Sequence, residues 1–158
     1  SLQLHDSEVI TIDICETPEA VSILNSHRLC ENRVTRFVGD ALSVDIVNQV
    51  QSKISQICEG GPVMVFLDDW HDGDHVFSEL EVYSQWVGDD GILIVADTSF
   101  QDLAGTPVAP YRSLLTSNPR TAINKFLHEY ATFERFDGFP VSGISNFSDG
   151  ILKRTALS

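Results

Sequence analysis

The chain is short of positive charge: 10 Lys and Arg stand against 23 Asp and Glu, for a formal net charge of -13 at pH 7. That balance argues against a nucleic-acid partner, because phosphate binding draws on clustered basic side chains. Small molecules and metal cations are the partners to expect. Cysteine is also scarce, and Cys15, Cys30 and Cys58 lie within or beside apolar segments. An odd set of this kind suits reduced, buried thiols in the cytoplasm better than a disulfide framework. No apolar run approaches the roughly 20 residues of a membrane-spanning helix, and the first residues lack the basic-then-apolar order of a secretory signal. What is present, 158 residues with 42% hydrophobic content, suits a single domain over residues 1–158 with a proper core.

Strand-like and helix-like segments alternate. Val9 to Ile14 is a β-rich run, and Thr17-Pro18-Glu19 places a cap, a first-turn proline and an acid where a helix to about His27 begins, with Ala20, Ile23 and Leu24 inward. Val34 to Val38 is the next strand, closed by Gly39-Asp40. Asp45 to Cys58 carries Ile46, Val47, Val50, Ile54 and Ile57 at helical spacing before Gly60-Gly61-Pro62 stops it. Val63 to Leu67 is continuously apolar, the pattern of a strand buried on both faces. Asp74 to Val87 predicts a helix with Val76, Phe77, Leu80, Tyr83 and Trp86 inward, and Ile92 to Ala96 a fourth strand.

Residues 101–118 have mixed polarity and read as a long loop over the active site. A helix then runs from Pro119 to about Tyr130, and Phe133 to Phe136 and Ile151 to Arg154 close the sheet in antiparallel fashion. The fold expected is α/β: a Rossmann-like, doubly wound, mainly parallel sheet with an antiparallel C-terminal strand.

Ligands in such a sheet sit at the carboxyl ends of the strands, and that is where Asp13, Asp40, Asp68, Asp69 and Asp97 fall. Each can be read as a helix cap or turn former. Together they repel one another unless a cation or a ligand's hydroxyls offset the charge. Asp68 and Asp97 end the two strands with the strongest burial pattern and are the candidate ligands of Mg2+ or another divalent cation, with Asp69 and Thr98 completing the oxygen shell. His71 is either a surface histidine or a base three residues beyond a metal ligand. His71 and His75 also have the four-residue spacing of a zinc pair, although Gly73 lies between them. Trp70 reads as a substrate wall or as core packing.

The run V-M-V-F-L-D-D-W-H-D-G-D-H-V-F-S-E-L-E-V-Y-S-Q-W-V at 63–87, followed by G-I-L-I-V-A-D-T at 91–98, resembles the cephalosporin hydroxylase and rhamnosyl O-methyltransferase family. Residues 119–130 and D-G-I-L-K-R at 149–154 resemble that family's late helix and final strand. I-T-I-D-I at 10–14 and V-G-D-A at 38–41 resemble the second and third strands of class I methyltransferases in general. The resemblance implies S-adenosylmethionine as cofactor. Asp13 would then accept the ribose hydroxyls, and Asp40 would lie near the adenine amino group. Asp69 would join them on the cofactor side. Asp68, Asp97 and Thr98 would serve the metal, and the acceptor would be a hydroxyl of a small molecule or sugar. Catechol O-methyltransferase is similar at L-D-x-W, with a base where this chain has His71.

Two departures stand out. Ala96 takes the place of a glutamate that the family usually has before Asp97. The first strand and its glycine-rich loop are expected before residue 1, with Ser1 to Leu4 a remnant of the first helix; Gly60-Gly61 precedes a strand and cannot replace that loop. The missing strand would lie between those at 9–14 and 63–67, so a homodimer or higher homo-oligomer, or a rearranged sheet, is expected to cover the exposed edges.

Three functions are therefore weighed: a metal-dependent O-methyltransferase, a truncated methyltransferase-like domain that oligomerises without cofactor, and a zinc hydrolase built on His71, His75 and Asp68. No iron-oxygenase triad is clearly spaced, so the word hydroxylase in the family's name is not taken as chemistry.

Overall fold

The computed structural model describes residues 7–27, 33–58, 60–137 and 147–155; Cys30 and the segment Ser1 to Leu4 lie outside the described residues. The chain divides into two units, residues 1–60 and 61–158.

In the first unit, β1 (Val9–Asp13) and β2 (Val34–Val38) pair in parallel, Val9 opposite Val34 and Asp13 opposite Val38. The crossover between them contains α1 (Pro18–Ser26), whose Thr17 cap accepts from the Ala20 N–H at 3.2 Å. After β2 comes α2 (Val44–Ile57), capped by Ser43, with Ile46 and Val50 buried and Val47, Ile54 and Ile57 half-buried. The inward face expected for α1 is not buried: Ala20 is exposed, Leu24 half-buried and Ile23 65% exposed. A two-stranded ladder is too narrow to cover a helix face, which is why such a ladder is marginal on its own. Cys15 is exposed too, against the expectation of a buried thiol, because it lies in the turn after β1; Cys58 is half-buried.

The second unit contains a four-stranded sheet in the order β3 (Val65–Leu67), β4 (Ile92–Val95), β6 (Ile151–Arg154), β5 (Phe133–Arg135). β3 and β4 are parallel, whereas β6 runs antiparallel to both of its neighbours. The closing strands are thus antiparallel as expected. The described strands form this sheet and the β1–β2 ladder. Among the described residues β3 pairs only with β4, and its burial alternates. Val65 and Leu67 are buried while Phe66 is 49% exposed, so the apolar run at 63–67 is covered on one face only.

The helix α3 (Gly73–Tyr83) continues as a 3-10 turn over Ser84–Trp86, and α5 (Pro119–Glu129) packs against α3. Of the inward face expected for α3, Val76, Phe77, Leu80 and Tyr83 are buried and Trp86 is half-buried; α5 buries Ala122, Ile123 and Phe126. The expected long loop contains α4 (Phe100–Leu103) and a 3-10 turn at Arg112–Leu115, which buries Leu114. Four-residue turns are too short to leave a period in the sequence. Arg120 ties this segment down, with Nη2 at 2.8 Å from Asp102 and Nε at 3.1 Å from Asp149. Among the described residues, no helix is long and apolar enough to cross a membrane.

Gly150 marks the tightest approach, since its carbonyl accepts the Val95 N–H and a Cβ there would lie 2.0 Å from the Val95 carbonyl oxygen. Backbone cannot yield as a side chain can. Gly150→Ala is expected to lower stability by about 3 kcal/mol or more, read as a fall in the urea midpoint at unchanged slope; an unchanged midpoint would show that β6 tolerates displacement.

Candidate active site

The end of the β3–β4 ladder builds the site. Leu67 lies opposite Val95, and the Ala96 N–H continues the ladder by donating to the Leu67 carbonyl at 2.9 Å. Asp68 and Asp97 therefore leave adjacent strands at nearly the same level. Asp97 has φ +55°, a left-handed conformation that Asp tolerates better than most residues, at a cost of about 1 kcal/mol. Its carbonyl accepts the Phe100 N–H, so the chain turns sharply there and α4 begins.

The Asp97 carboxylate meets His71, with Oδ2 at 2.6 Å from Nε2, and the imidazole stacks on Phe100 at 4.5 Å between ring centres. Asp97 and Phe100 thus hold His71 from two sides. Nε2 is the ring nitrogen that faces Asp97, and Nδ1 is the other. Although Asp68 remains open to solvent on one side, its carboxyl is pushed above the usual carboxylate range. Partial burial is the main cause, followed by the charge of Asp97; His71 opposes the shift, while a hydrogen bond shared with Asp97 and the charge of Asp69 add to it.

The loop from Asp68 to Asp72 is set by the start of α3. Asp72 caps the helix through Oδ1, accepting from the N–H groups of Asp74 at 3.1 Å and His75 at 3.3 Å, while Oδ2 accepts the Ser117 hydroxyl at 2.8 Å. Those bonds, the Ser117 hydroxyl foremost, hold the Asp72 carboxyl below its usual range. Ser117 in turn accepts the Gly73 N–H at 2.9 Å, and the next residue, the fully buried Asn118, caps α5. The two helix starts are locked together. A side chain on Gly73 would collide with Asn118 and Thr121.

A small cleft results, with Asp68, Asp69, Glu79 and Asp97 around it, His71 and Trp70 on its wall, and Leu67 and Val95 contributing apolar surface. Trp70 is 68% exposed, so it belongs to the cleft and not to the core. Among the described residues, the three side chains whose ligand atoms lie within 4.8 Å of one another are Asp69, His75 and Glu79. Thr98 is wholly buried and is not among the residues lining the cleft. The two histidines of the zinc pattern serve different acids, since His75 Nε2 lies 3.2 Å from Asp69 Oδ2.

Asp13 and Asp40 belong to the first unit, and each accepts from its own turn: Asp13 Oδ1 from the Cys15 N–H at 3.3 Å, Asp40 Oδ1 from the Leu42 N–H at 2.8 Å. The turn-forming reading accounts for these contacts. Glu79 is the cleft residue that sequence reasoning passed over. Its signal was position: it lies three residues after Val76 and four before Tyr83, on the apolar face of α3.

Because Asp68 ionises less readily in the folded protein than in the unfolded chain, its ionisation costs stability. That cost is absent below the unfolded carboxylate pKa and grows as pH rises through the raised folded value. Asp68→Asn should therefore gain in Tm relative to the unsubstituted chain between pH 4 and pH 7; a difference independent of pH would contradict the electrostatics of the cleft.

The family model described as Rhamnosyl O-methyltransferase/CmcI matches residues 2–155. No curated protein matches the chain.

Proposed function

We propose, on the premise that this chain belongs to the rhamnosyl O-methyltransferase/CmcI family, that it transfers a methyl group from S-adenosylmethionine to a hydroxyl of a small molecule or sugar with help from a divalent cation. The observation that carries this reading is the meeting of Asp68, Asp97 and His71 at the end of the β3–β4 ladder, with His71 Nε2 2.6 Å from Asp97. It rests also on a doubly wound arrangement of the strands. Among the described residues β1 and β3 each have one ladder partner, and a homo-oligomer would cover their other edges.

Asp68 and Asp97 would hold Mg2+, with Thr98, next in the chain after Asp97, as the further oxygen donor. The cation would supply positive charge that lowers the pKa of an acceptor hydroxyl. His71 takes the hydroxyl proton at Nδ1, and its imidazolium is then stabilised by Asp97 at Nε2. S-adenosylmethionine, when bound, would supply the methyl group to that oxygen and depart as S-adenosylhomocysteine. Trp70 shields one side of the cleft from water. Asp13 and Asp40, with Oδ1 of each held by its own turn, would accept from the cofactor's ribose hydroxyls and adenine amino group.

A second reading, a methyltransferase-like module that associates without cofactor, is favoured by Ala96, where the cleft wall carries a methyl group and no carboxylate. Thermal unfolding separates the two. Mg2+ with S-adenosylhomocysteine at about a hundredfold excess over Kd stabilises by about 2.7 kcal/mol, a rise of roughly 5 to 10 °C in Tm. No rise with either S-adenosylmethionine or S-adenosylhomocysteine supports the second reading and rejects the first.

His71→Gln is expected to reduce methyl transfer to a panel of monosaccharide and catechol acceptors by roughly a hundredfold or more, with S-adenosylhomocysteine affinity retained. Equal loss of both would make His71 a structural residue.

A further inference from the structure

We propose that Asp69, His75 and Glu79 form a second cation site, separate from Asp68 and Asp97, for one borderline divalent ion of the Mn2+, Co2+ or Zn2+ class. One ligand atom from each residue can be chosen so that all three lie within 4.8 Å of one another. His75 Nε2 is 3.2 Å from Asp69 Oδ2 and 4.0 Å from Glu79 Oε2. Bonds of about 2.0 to 2.2 Å to a single ion place its ligand atoms roughly 3 to 4 Å apart, so these side chains need little rearrangement.

The local sequence builds this geometry. His75 and Glu79 are four residues apart in α3 and share one face of it. The Asp72 cap fixes the turn that carries His75, and Trp70 packs beside the imidazole with ring centres 6.1 Å apart. The Trp70 N–H donates to Asp69 Oδ1, which leaves Oδ2 as the oxygen directed at His75.

Exposure is graded through the three ligands: the Glu79 side chain is 4% exposed, His75 25% and Asp69 46%. The group has a deep floor and an open mouth, through which an ion can enter and keep water in its remaining positions. Burying a carboxylate costs several kcal/mol unless positive charge faces it. The His75 imidazole is on that side of Glu79, and a bound cation would add positive charge there. Asp68 and Asp97, which line the same cleft, add negative potential that favours the ion. One imidazole with two carboxylates selects a first-row transition ion over Mg2+ or Ca2+, whereas the all-oxygen pair Asp68 and Asp97 suits Mg2+. The proposal stands on this donor set and does not require methyl transfer.

The test uses the full chain, stripped with chelator, given excess Mg2+ and titrated with Mn2+ under electron paramagnetic resonance. About one Mn2+ per chain is expected, with 14N modulation from a coordinated imidazole; His75→Gln should abolish the modulation and weaken Mn2+ binding by about tenfold or more. Asp69→Asn, at the exposed ligand, weakens binding without disturbing the core and serves if His75→Gln or Glu79→Gln fails to fold. Asp97→Asn should leave the nitrogen signal in place. The proposal is overturned if millimolar Mn2+ does not bind, if His71→Gln and not His75→Gln removes the nitrogen signal, or if Asp97→Asn abolishes binding while Asp69→Asn has no effect.

Discussion

Like charges gathered at the end of a parallel ladder are the constraint to which the rest of the second unit answers. β3 and β4 deliver Asp68 and Asp97 to the same level, with Asp69 beside them. Each further carboxylate raises the free energy of ionising its neighbours. The chain offsets this cost locally. His71 sits against Asp97, His75 against Asp69, and the Asp68 carboxyl is displaced toward its neutral form. In the proposed reading, a bound cation would offset that repulsion.

That geometry depends on features some distance from the acids. Gly150 allows β6 to lie against β4, and the buried Leu93, Val95 and Leu152 keep the ladder in place. Asp72, Ser117 and Asn118 lock the starts of α3 and α5, so the loop carrying Asp69, Trp70 and His71 is held at both ends. Phe100 joins the short α4 to the imidazole. Residues 101–118, which look unstructured in sequence, therefore belong to the support of the cleft.

Regular periodicity was legible. β2 and β6 have the bounds expected from apolar patterning, and α2, α3 and α5 fall within one to four residues of theirs, because a repeating buried face leaves a repeating sequence. Legibility failed where burial depends on what lies opposite. Ile23 of α1 and Phe66 of β3 are apolar yet exposed, since a segment's own sequence shows its preference for burial and not the presence of a covering neighbour. Glu79 shows the converse, a charged residue at an apolar position, buried because the cleft faces it.

The amino-acid sequence by itself determined the α/β class, the antiparallel close of the sheet, the positions of Asp68, Asp97 and His71 at a strand end, and the family. Each of these follows from short-range pattern or from chain order. Tertiary structure decided which acids share a cleft, that His71 and His75 serve different carboxylates, that Thr98 is buried, and that Glu79 reaches the site. Those relations depend on ladder register and helix packing, which bring together residues that lie apart in sequence, and no local preference specifies them.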